Sequence, residues 1–248
     1  MNKFLLVSNL LLLVAVVFLA ARYHAARDLY AALAGGKKPP AQAKPVEPDC
    51  RYALKAFDFH FKKETDNPNI VMFGNSLIRR GDWPKLLGRG DVINRGIGGD
   101  VMRCLAARAV YLMNIKAKAW IIEGGINDLP ARKPAEIFDY YKQIVEFARR
   151  LGARPILSLV LRVSPKAEHY FPFRRDYVRI NKLVDELNAA LRRYADEEGV
   201  DIIDPNMKLT GTGGLLRDEC TTDGVHLTAK GYELWAGQIK AALDSLRI

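Results

Sequence analysis

The chain has 248 residues, of which 49% are apolar, so it can build one sizeable α/β domain and an appended segment. Its formal net charge is +10. No long run of lysine and arginine lies inside the predicted domain, so we expect no nucleic-acid partner. The three cysteines show neither a CxxC pair nor zinc-finger spacing, which argues against a metal site. One internal disulfide is the most that they allow, and Cys50 with Cys220 is a conceivable pair.

An apolar run occupies residues 4–21, between Lys3 and Arg22. Its length is at the short end for a membrane-spanning helix and exceeds that of a usual signal-peptide core. The end of the run is a poor cleavage site, because Leu19 stands where a small residue is needed. The pattern favours an uncleaved transmembrane signal anchor within residues 1–34, with a cleaved signal peptide as the alternative.

Positive charges follow the apolar run, and they suit a position beside anionic lipid better than a nucleic-acid surface. By the positive-inside rule these charges argue against export, whereas an N-terminal anchor before a globular domain usually argues for it. We expect a membrane-anchored, extracytoplasmic domain, periplasmic or at the cell surface. Residues 35–48 are rich in proline and glycine, which predicts a semi-rigid linker before a domain at residues 49–248.

Strand and helix patterns alternate along the domain. A short amphipathic helix is expected over residues 52–63. Short apolar runs predict five strands, at residues 70–73, 91–94, 119–123, 156–161 and 200–203. Helical patterns follow at residues 101–112, 134–151, 177–198 and 228–246. This alternation predicts an α/β fold with a five-stranded parallel sheet and helices on both of its faces.

Polar and glycine-rich stretches follow the predicted strands, at the edge where parallel sheets bind ligands. Ser76 comes after the first strand and is a candidate nucleophile, with a simple turn or N-cap serine as the alternative. His226 is the candidate general base, and Asp223 is placed to orient its ring. The alternative for these two residues is a surface loop whose charge favours the following helix.

Three groups are candidate donors to an oxyanion: the backbone N–H groups of Ser76 and Gly99 and the side-chain amide of Asn127. Glycine lets a backbone approach a ligand closely. The glycine-rich run at residues 96–99 could instead be a plain tight turn. It also half-resembles a dinucleotide-binding fingerprint, but Val101 occupies the position of the third glycine, which argues against that interpretation.

Four stretches of the domain resemble the four blocks of the SGNH/GDSL hydrolase superfamily, in that family's order. They are Gly74-Asn75-Ser76-Leu77, residues 94–100, Gly125-Ile126-Asn127-Asp128 and Asp223-Gly224-Val225-His226-Leu227. The second block is especially similar to the platelet-activating-factor acetylhydrolase-like branch of GDSL esterases and lipases. The similarity covers residues 69–248. Asn75 departs from the aspartate in the family's name, but the resemblance does not make it a triad member.

The resemblance implies a flavodoxin-like three-layer α/β/α fold and neither a metal nor an organic cofactor. It implies a serine esterase with two functional groups of residues: a catalytic triad of Ser76, Asp223 and His226, and an oxyanion hole of Ser76, Gly99 and Asn127. Asp128 is expected to fix the neighbouring loop rather than to take part in the reaction.

The substrate expected from this pattern is a small-molecule, lipid or glycan ester. No lid-sized apolar insertion is present, which favours short acyl groups, acetyl above all. The aromatic residues Tyr170, Phe171 and Phe173 follow the fourth strand, and they either line a substrate pocket or pack on the sheet edge. Two alternatives remain: a transferase that passes an acetyl group to a glycan, and a membrane-tethered binding protein without turnover.

Overall fold

The computed structural model describes Cys50, residues 68–169 and residues 176–248, which belong to one compact unit, Val46–Ile248. The expected signal anchor, the linker, the helix over residues 52–63 and the three aromatic loop residues lie outside the described residues. The domain bounds therefore stay a prediction. Within the described ranges, no helix combines the length and the apolar character needed to cross a membrane.

Five parallel strands form the central sheet. They are β1 (Ile70–Gly74), β2 (Val92–Gly96), β3 (Ala119–Ile122), β4 (Arg154–Ser158) and β5 (Asp201–Ile203). Their order in the sheet is β2-β1-β3-β4-β5, which is the flavodoxin-like order, with a switch point between β1 and β3. The predicted α/β fold with a five-stranded parallel sheet is confirmed.

Helices cover both faces of the sheet. They are α1 (Ser76–Arg79), α2 (Trp83–Leu87), α3 (Met102–Arg108), α4 (Pro134–Arg150), α5 (Tyr177–Glu198), α6 (Asn206–Leu209) and α7 (Ala229–Ser245). Side chains of β1 alternate between two cores, because successive residues of a strand point to opposite faces. Val71 and Phe73 pack with α3, α4 and α5, whereas Ile70 and Met72 pack with α2 and α7.

β4 begins and ends earlier than the apolar run that predicted it. The residues after β4 stay buried, but side chains of α5 take over their backbone hydrogen bonds. The Asn188 side chain accepts from the N–H of Val160 and donates to its carbonyl, both at 2.9 Å. Asn181 makes the same pair of bonds to Val163, at 2.8 and 3.0 Å. The chain therefore leaves the sheet without leaving backbone groups unsatisfied.

One disulfide joins Cys50 to Cys104, which are 54 residues apart in sequence. The conceivable pair of Cys50 with Cys220 is therefore wrong. Cys220 is a free thiol, buried in the core that α2 and α7 cover. Sequence spacing could not choose between Cys104 and Cys220, because the choice depends on which of them the fold brings to Cys50.

Candidate active site

Ser76 stands at the carboxyl end of β1, on a turn that one side chain fixes. The Asn75 side-chain oxygen accepts a hydrogen bond from the N–H of Leu77 at 2.8 Å and so caps α1. Ser76 is the first residue of α1, and only 7% of its surface is exposed. The apolar strand and the cap together place the serine over the edge of the sheet.

The structure brings Ser76 and His226 together although they are 150 residues apart in sequence. The Ser76 Oγ lies 2.9 Å from the His226 Nε2, and the His226 Nδ1 lies 2.6 Å from Oδ2 of Asp223. Because a carboxylate only accepts hydrogen bonds, Nδ1 carries the ring proton and Nε2 is left to accept from the serine hydroxyl. A row of this kind can remove the serine proton during attack on a carbonyl group.

The Asp223 carboxylate is held by its own loop. Its second oxygen, Oδ1, accepts from the backbone N–H groups of Val225 at 3.0 Å and His226 at 2.8 Å. Burial acts to raise the pKa of Asp223, but hydrogen bonds from the His226 ring and the two backbone groups outweigh it and lower the pKa. The carboxylate is therefore charged at neutral pH and is fixed toward the imidazole.

The loop that carries Asp223 and His226 closes on itself. The Thr221 hydroxyl donates to the carbonyl of His226 at 2.8 Å and accepts from the N–H of Gly224 at 2.9 Å. Gly224 has a φ of +89°, and a Cβ at this position would lie 2.2 Å from the backbone nitrogen of Ala167. Glycine is required here for both its conformation and its lack of a side chain.

The loops after β2 and β3 flank Ser76, because β1 lies between these two strands. Gly99, in the first loop, is exposed and has a φ of +75°. Asn127, in the second loop, donates from its amide to the carbonyl of Asp100 at 2.9 Å, which ties the two loops together. An asparagine amide has two N–H groups, so one remains for a ligand.

A family model described as the GDSL-like lipase/acylhydrolase family matches residues 71–234. The chain belongs to this family. It is therefore a carboxylic ester hydrolase.

Two relatives of the enzyme cover most of its length. An isoamyl acetate-hydrolyzing esterase from Saccharomyces cerevisiae is 26% identical over 205 residues, which are 78% of this chain and 83% of that protein. The platelet-activating factor acetylhydrolase IB subunit alpha1 from Bos taurus is 25% identical over 211 residues, which are 81% and 87% of the two chains.

Solved structures of GDSL proteins share the fold of the enzyme. A GDSL-like lipase from Bacteroides thetaiotaomicron has a TM-score of 0.66 at 22% identity, over 80% of this chain and 98% of that chain. A carbohydrate acetylesterase family member from Sinorhizobium meliloti has a TM-score of 0.59 at 17% identity, over 72% and 98%. At such low identity these structures show a common fold and nothing more about this enzyme.

A buried ion pair in the enzyme fixes the loop after β2, and we did not predict it. The guanidinium of Arg108 donates from Nε to Asp100 at 2.7 Å and from Nη2 to the carbonyl of Gly74 at 2.9 Å. It also stacks on the Phe73 ring, 4.4 Å from the centroid. Burial raises the pKa of Asp100, and Arg108 opposes that rise. The pair thus links the candidate oxyanion loop to the strand that leads to Ser76.

Two further buried carboxyl groups lie next to the site of the enzyme. Asp128 accepts from the N–H of Met102 at 2.9 Å and fixes the start of α3, and burial raises its pKa to about 7. Glu123 directly follows β3 and was not predicted as a site residue. Its signal in the sequence was a lone carboxylate directly after an apolar strand. In the described ranges, no group of histidine, cysteine and acidic residues could hold a metal ion.

Proposed function

We propose that this chain hydrolyses esters of short carboxylic acids, acetyl esters above all, through a triad of Ser76, His226 and Asp223. The observation that carries the proposal is the hydrogen-bonded row of their side chains, with distances of 2.9 and 2.6 Å. These two distances support the proposal, because proton transfer between the serine, the imidazole and the carboxylate needs hydrogen-bond contact.

The reaction proceeds in two halves. The Ser76 oxygen attacks the ester carbonyl while His226 takes the hydroxyl proton, and the imidazolium is stabilised by Asp223. His226 then gives this proton to the leaving alcohol, and an acyl-enzyme forms. Water attacks the acyl-enzyme as His226 takes its proton, the acid is released, and the proton returns to the serine oxygen.

The oxyanion of each tetrahedral intermediate binds the N–H groups of Ser76 and Gly99 and the free amide N–H of Asn127. The strand order supports this assignment, since it places the loops of Gly99 and Asn127 on either side of Ser76. The bond from Asn127 to the carbonyl of Asp100 supports it as well, because it fixes the amide before a substrate arrives.

The proposal of a short acyl chain is supported by the relatives. Ser76 is 7% exposed and His226 is 3% exposed, so both reacting groups lie below the protein surface. The names of the two relatives, an isoamyl acetate-hydrolyzing esterase and a platelet-activating factor acetylhydrolase subunit, both refer to acetyl esters. Tyr170, Phe171 and Phe173 remain proposed contacts for the rest of the substrate.

The location of the domain is also a proposal. We infer that residues 4–21 anchor it to a membrane and that it faces an oxidising, extracytoplasmic compartment. The apolar run and the disulfide between Cys50 and Cys104 support this inference, because structural disulfides are rare in the reducing cytosol. Cell fractionation followed by protease accessibility tests it. A domain found in the soluble cytosolic fraction would contradict it.

The test of the reaction uses the full-length protein and p-nitrophenyl esters of increasing chain length. We expect acetate to be the best substrate and Ser76→Ala to lower kcat by about 10⁶-fold, to the background rate. Ser245→Ala is the matched control, because Ser245 is an exposed serine of α7 whose hydroxyl donates to the carbonyl of Ala242 in the same helix. Equal rates for wild type and Ser76→Ala would refute the triad. Acetyl transfer to a glycan in place of acetate release would indicate the transferase instead.

A further inference from the structure

A carboxyl group that the proposed reaction does not use is enclosed next to residues 74 and 75, which lead into Ser76. Glu123 is 1% exposed. Its Oε1 accepts a hydrogen bond from the Asn75 amide at 3.3 Å, whereas its Oε2 has no hydrogen-bond partner among the described residues. A Cβ on Gly74 would lie only 3.1 Å from this Oε2. The carboxyl group therefore packs against the backbone that leads into the nucleophile turn.

The surroundings of Glu123 favour its neutral form. Burial raises its pKa to about 8, and hydrogen bonds from the backbone and side chain of Asn75 oppose this rise only in part. The titratable groups that interact with it are Tyr141 of α4 and Tyr232 of α7, and burial raises both phenol pKa values. Their hydroxyls donate elsewhere, to the carbonyls of Gly124 and Leu77. Neither helix therefore offers a cation to a charge on Glu123. The buried cation of α3, Arg108, is paired with Asp100 and donates to the carbonyl of Gly74.

Asn75 connects this carboxyl group to the nucleophile. Its amide nitrogen donates to Glu123, and its amide oxygen accepts from the N–H of Leu77 at 2.8 Å. Both ends of the Asn75 amide therefore have a hydrogen-bond partner, and these two bonds fix the turn that holds Ser76. We propose that Glu123 is a positioning residue for Ser76: its carboxyl group holds the Asn75 amide, and that amide holds the nucleophile turn. This inference rests on the proposed triad.

The identity of residue 75 follows from the same contact. The family is named for an aspartate before the serine, and this chain has Asn75. An aspartate here would face Glu123 at hydrogen-bond distance, and two buried carboxyl groups so close can keep only one charge. Asparagine offers an N–H donor instead. Residues 75 and 123 therefore form a coupled pair in this enzyme.

Ionisation of Glu123 has a direct consequence for the reaction. It places a negative charge against residues 74 and 75, next to the serine at which negative charge develops in the transition state. The setting is buried, so charges interact strongly there. Turnover should therefore decline at alkaline pH as Glu123 loses its proton. This decrease forms the alkaline limb of the pH profile.

The experiment measures kcat/KM of the full-length protein for p-nitrophenyl acetate from pH 6 to pH 9.5, with the Ser76→Ala rate subtracted. In wild type we expect a decrease of about tenfold from pH 7 to pH 9. In Glu123→Gln, which cannot ionise, the decrease should be less than about twofold. In Asn75→Asp the alkaline limb should shift to lower pH, so that kcat/KM is already reduced at pH 7, because the two carboxyl groups together keep one charge next to Ser76.

Asp128→Asn is the matched control, since Asp128 is the other buried carboxyl group beside the site with a raised pKa. We expect this variant to keep the alkaline limb. An unchanged limb in Glu123→Gln, or a limb lost only in Asp128→Asn, would overturn the proposal. Activity retained in Ser76→Ala would refute the proposed triad itself. Failure of the triad and failure of the role of Glu123 are therefore distinguishable.

Thermal unfolding provides a second readout. A glutamate with a raised pKa stabilises the folded state fully only below its ordinary pKa, and this stability is lost as pH rises toward the raised value. Between pH 5 and pH 8 the melting temperature of wild type should therefore decrease more than the melting temperature of Glu123→Gln. Parallel curves of melting temperature against pH for the two proteins would contradict a neutral Glu123. If Glu123→Gln does not fold, the shift of the limb in Asn75→Asp decides.

Discussion

The substitution Asp223→Asn tests the orientation of His226 most sharply. In the structure one carboxylate oxygen, Oδ1, holds the backbone N–H groups of Val225 and His226, and the other, Oδ2, holds the His226 ring. An asparagine must keep its oxygen on the two backbone donors. Its NH2 group then faces Nδ1 of the ring, where wild type has an acceptor.

The size of the effect follows from these contacts. Reversing the amide would replace two backbone hydrogen bonds of about 1 kcal/mol each by contacts between donors, so the reversed form is minor. With NH2 facing it, Nδ1 must accept, and the ring proton moves to Nε2. Nε2 then cannot accept the proton of Ser76. A histidine held in the wrong tautomer costs about 10⁴-fold in kcat.

The assay is steady-state hydrolysis of p-nitrophenyl acetate at pH 7.5. We expect kcat to decrease by about 10⁴-fold and KM to change little, because the lost interaction acts mainly in the transition state. Asp218→Asn is the matched control, since Asp218 is an exposed aspartate of the preceding 3₁₀ helix that pairs with a surface lysine. Its activity should stay within about twofold of wild type.

The fold of the variant is checked by thermal unfolding, which should change by only a few degrees because the backbone hydrogen bonds remain. A folded Asp223→Asn variant with activity within about tenfold of wild type would refute the reasoning, since no tautomer could then have been lost.

Three further predictions concern the surrounding structure. Asn127→Ala should lower kcat by about 10²–10³-fold, as measured with p-nitrophenyl acetate, because one oxyanion donor is lost. Gly224→Ala should impair both folding and activity, since its Cβ would lie 2.2 Å from the Ala167 nitrogen; circular dichroism and turnover report this. Replacing Cys50 and Cys104 by serine should destabilise the domain by about 4 kcal/mol in urea unfolding, whereas an equally stable variant would show that the disulfide is dispensable.

The sheet was predictable because each strand is a short apolar run that the fold covers on both sides. The end of β4 was not predictable, because it depends on Asn181 and Asn188 of α5. Their side chains bond the backbone after β4 in place of a neighbouring strand. The short helix α2 was missed because Trp83–Leu87 is too brief to show a helical period. The partner of Cys50 was missed because no local pattern encodes a contact over 54 residues.

The candidate site was predictable in part for the same physical reason. Ser76, Asp223 and His226 lie in short local motifs, and parallel strands bring their carboxyl ends to one edge. Glu123 contacts Asn75, 48 residues away in sequence, and Arg108 contacts Gly74, 34 residues away, so these contacts become visible only in three dimensions. The roles of Gly99 and Asn127 stay a proposal until substrate binding is measured.

The most direct test of the central claim, an activated Ser76, is labelling of the full-length protein with a fluorophosphonate probe, followed by peptide mass spectrometry. The probe needs no knowledge of the natural ester, because it reacts with serines that a neighbouring base has activated. We expect one adduct on Ser76, no adduct in Ser76→Ala, and labelling slowed at least about 10²-fold in His226→Ala. Labelling of another serine, or an equal rate in His226→Ala, would contradict the account.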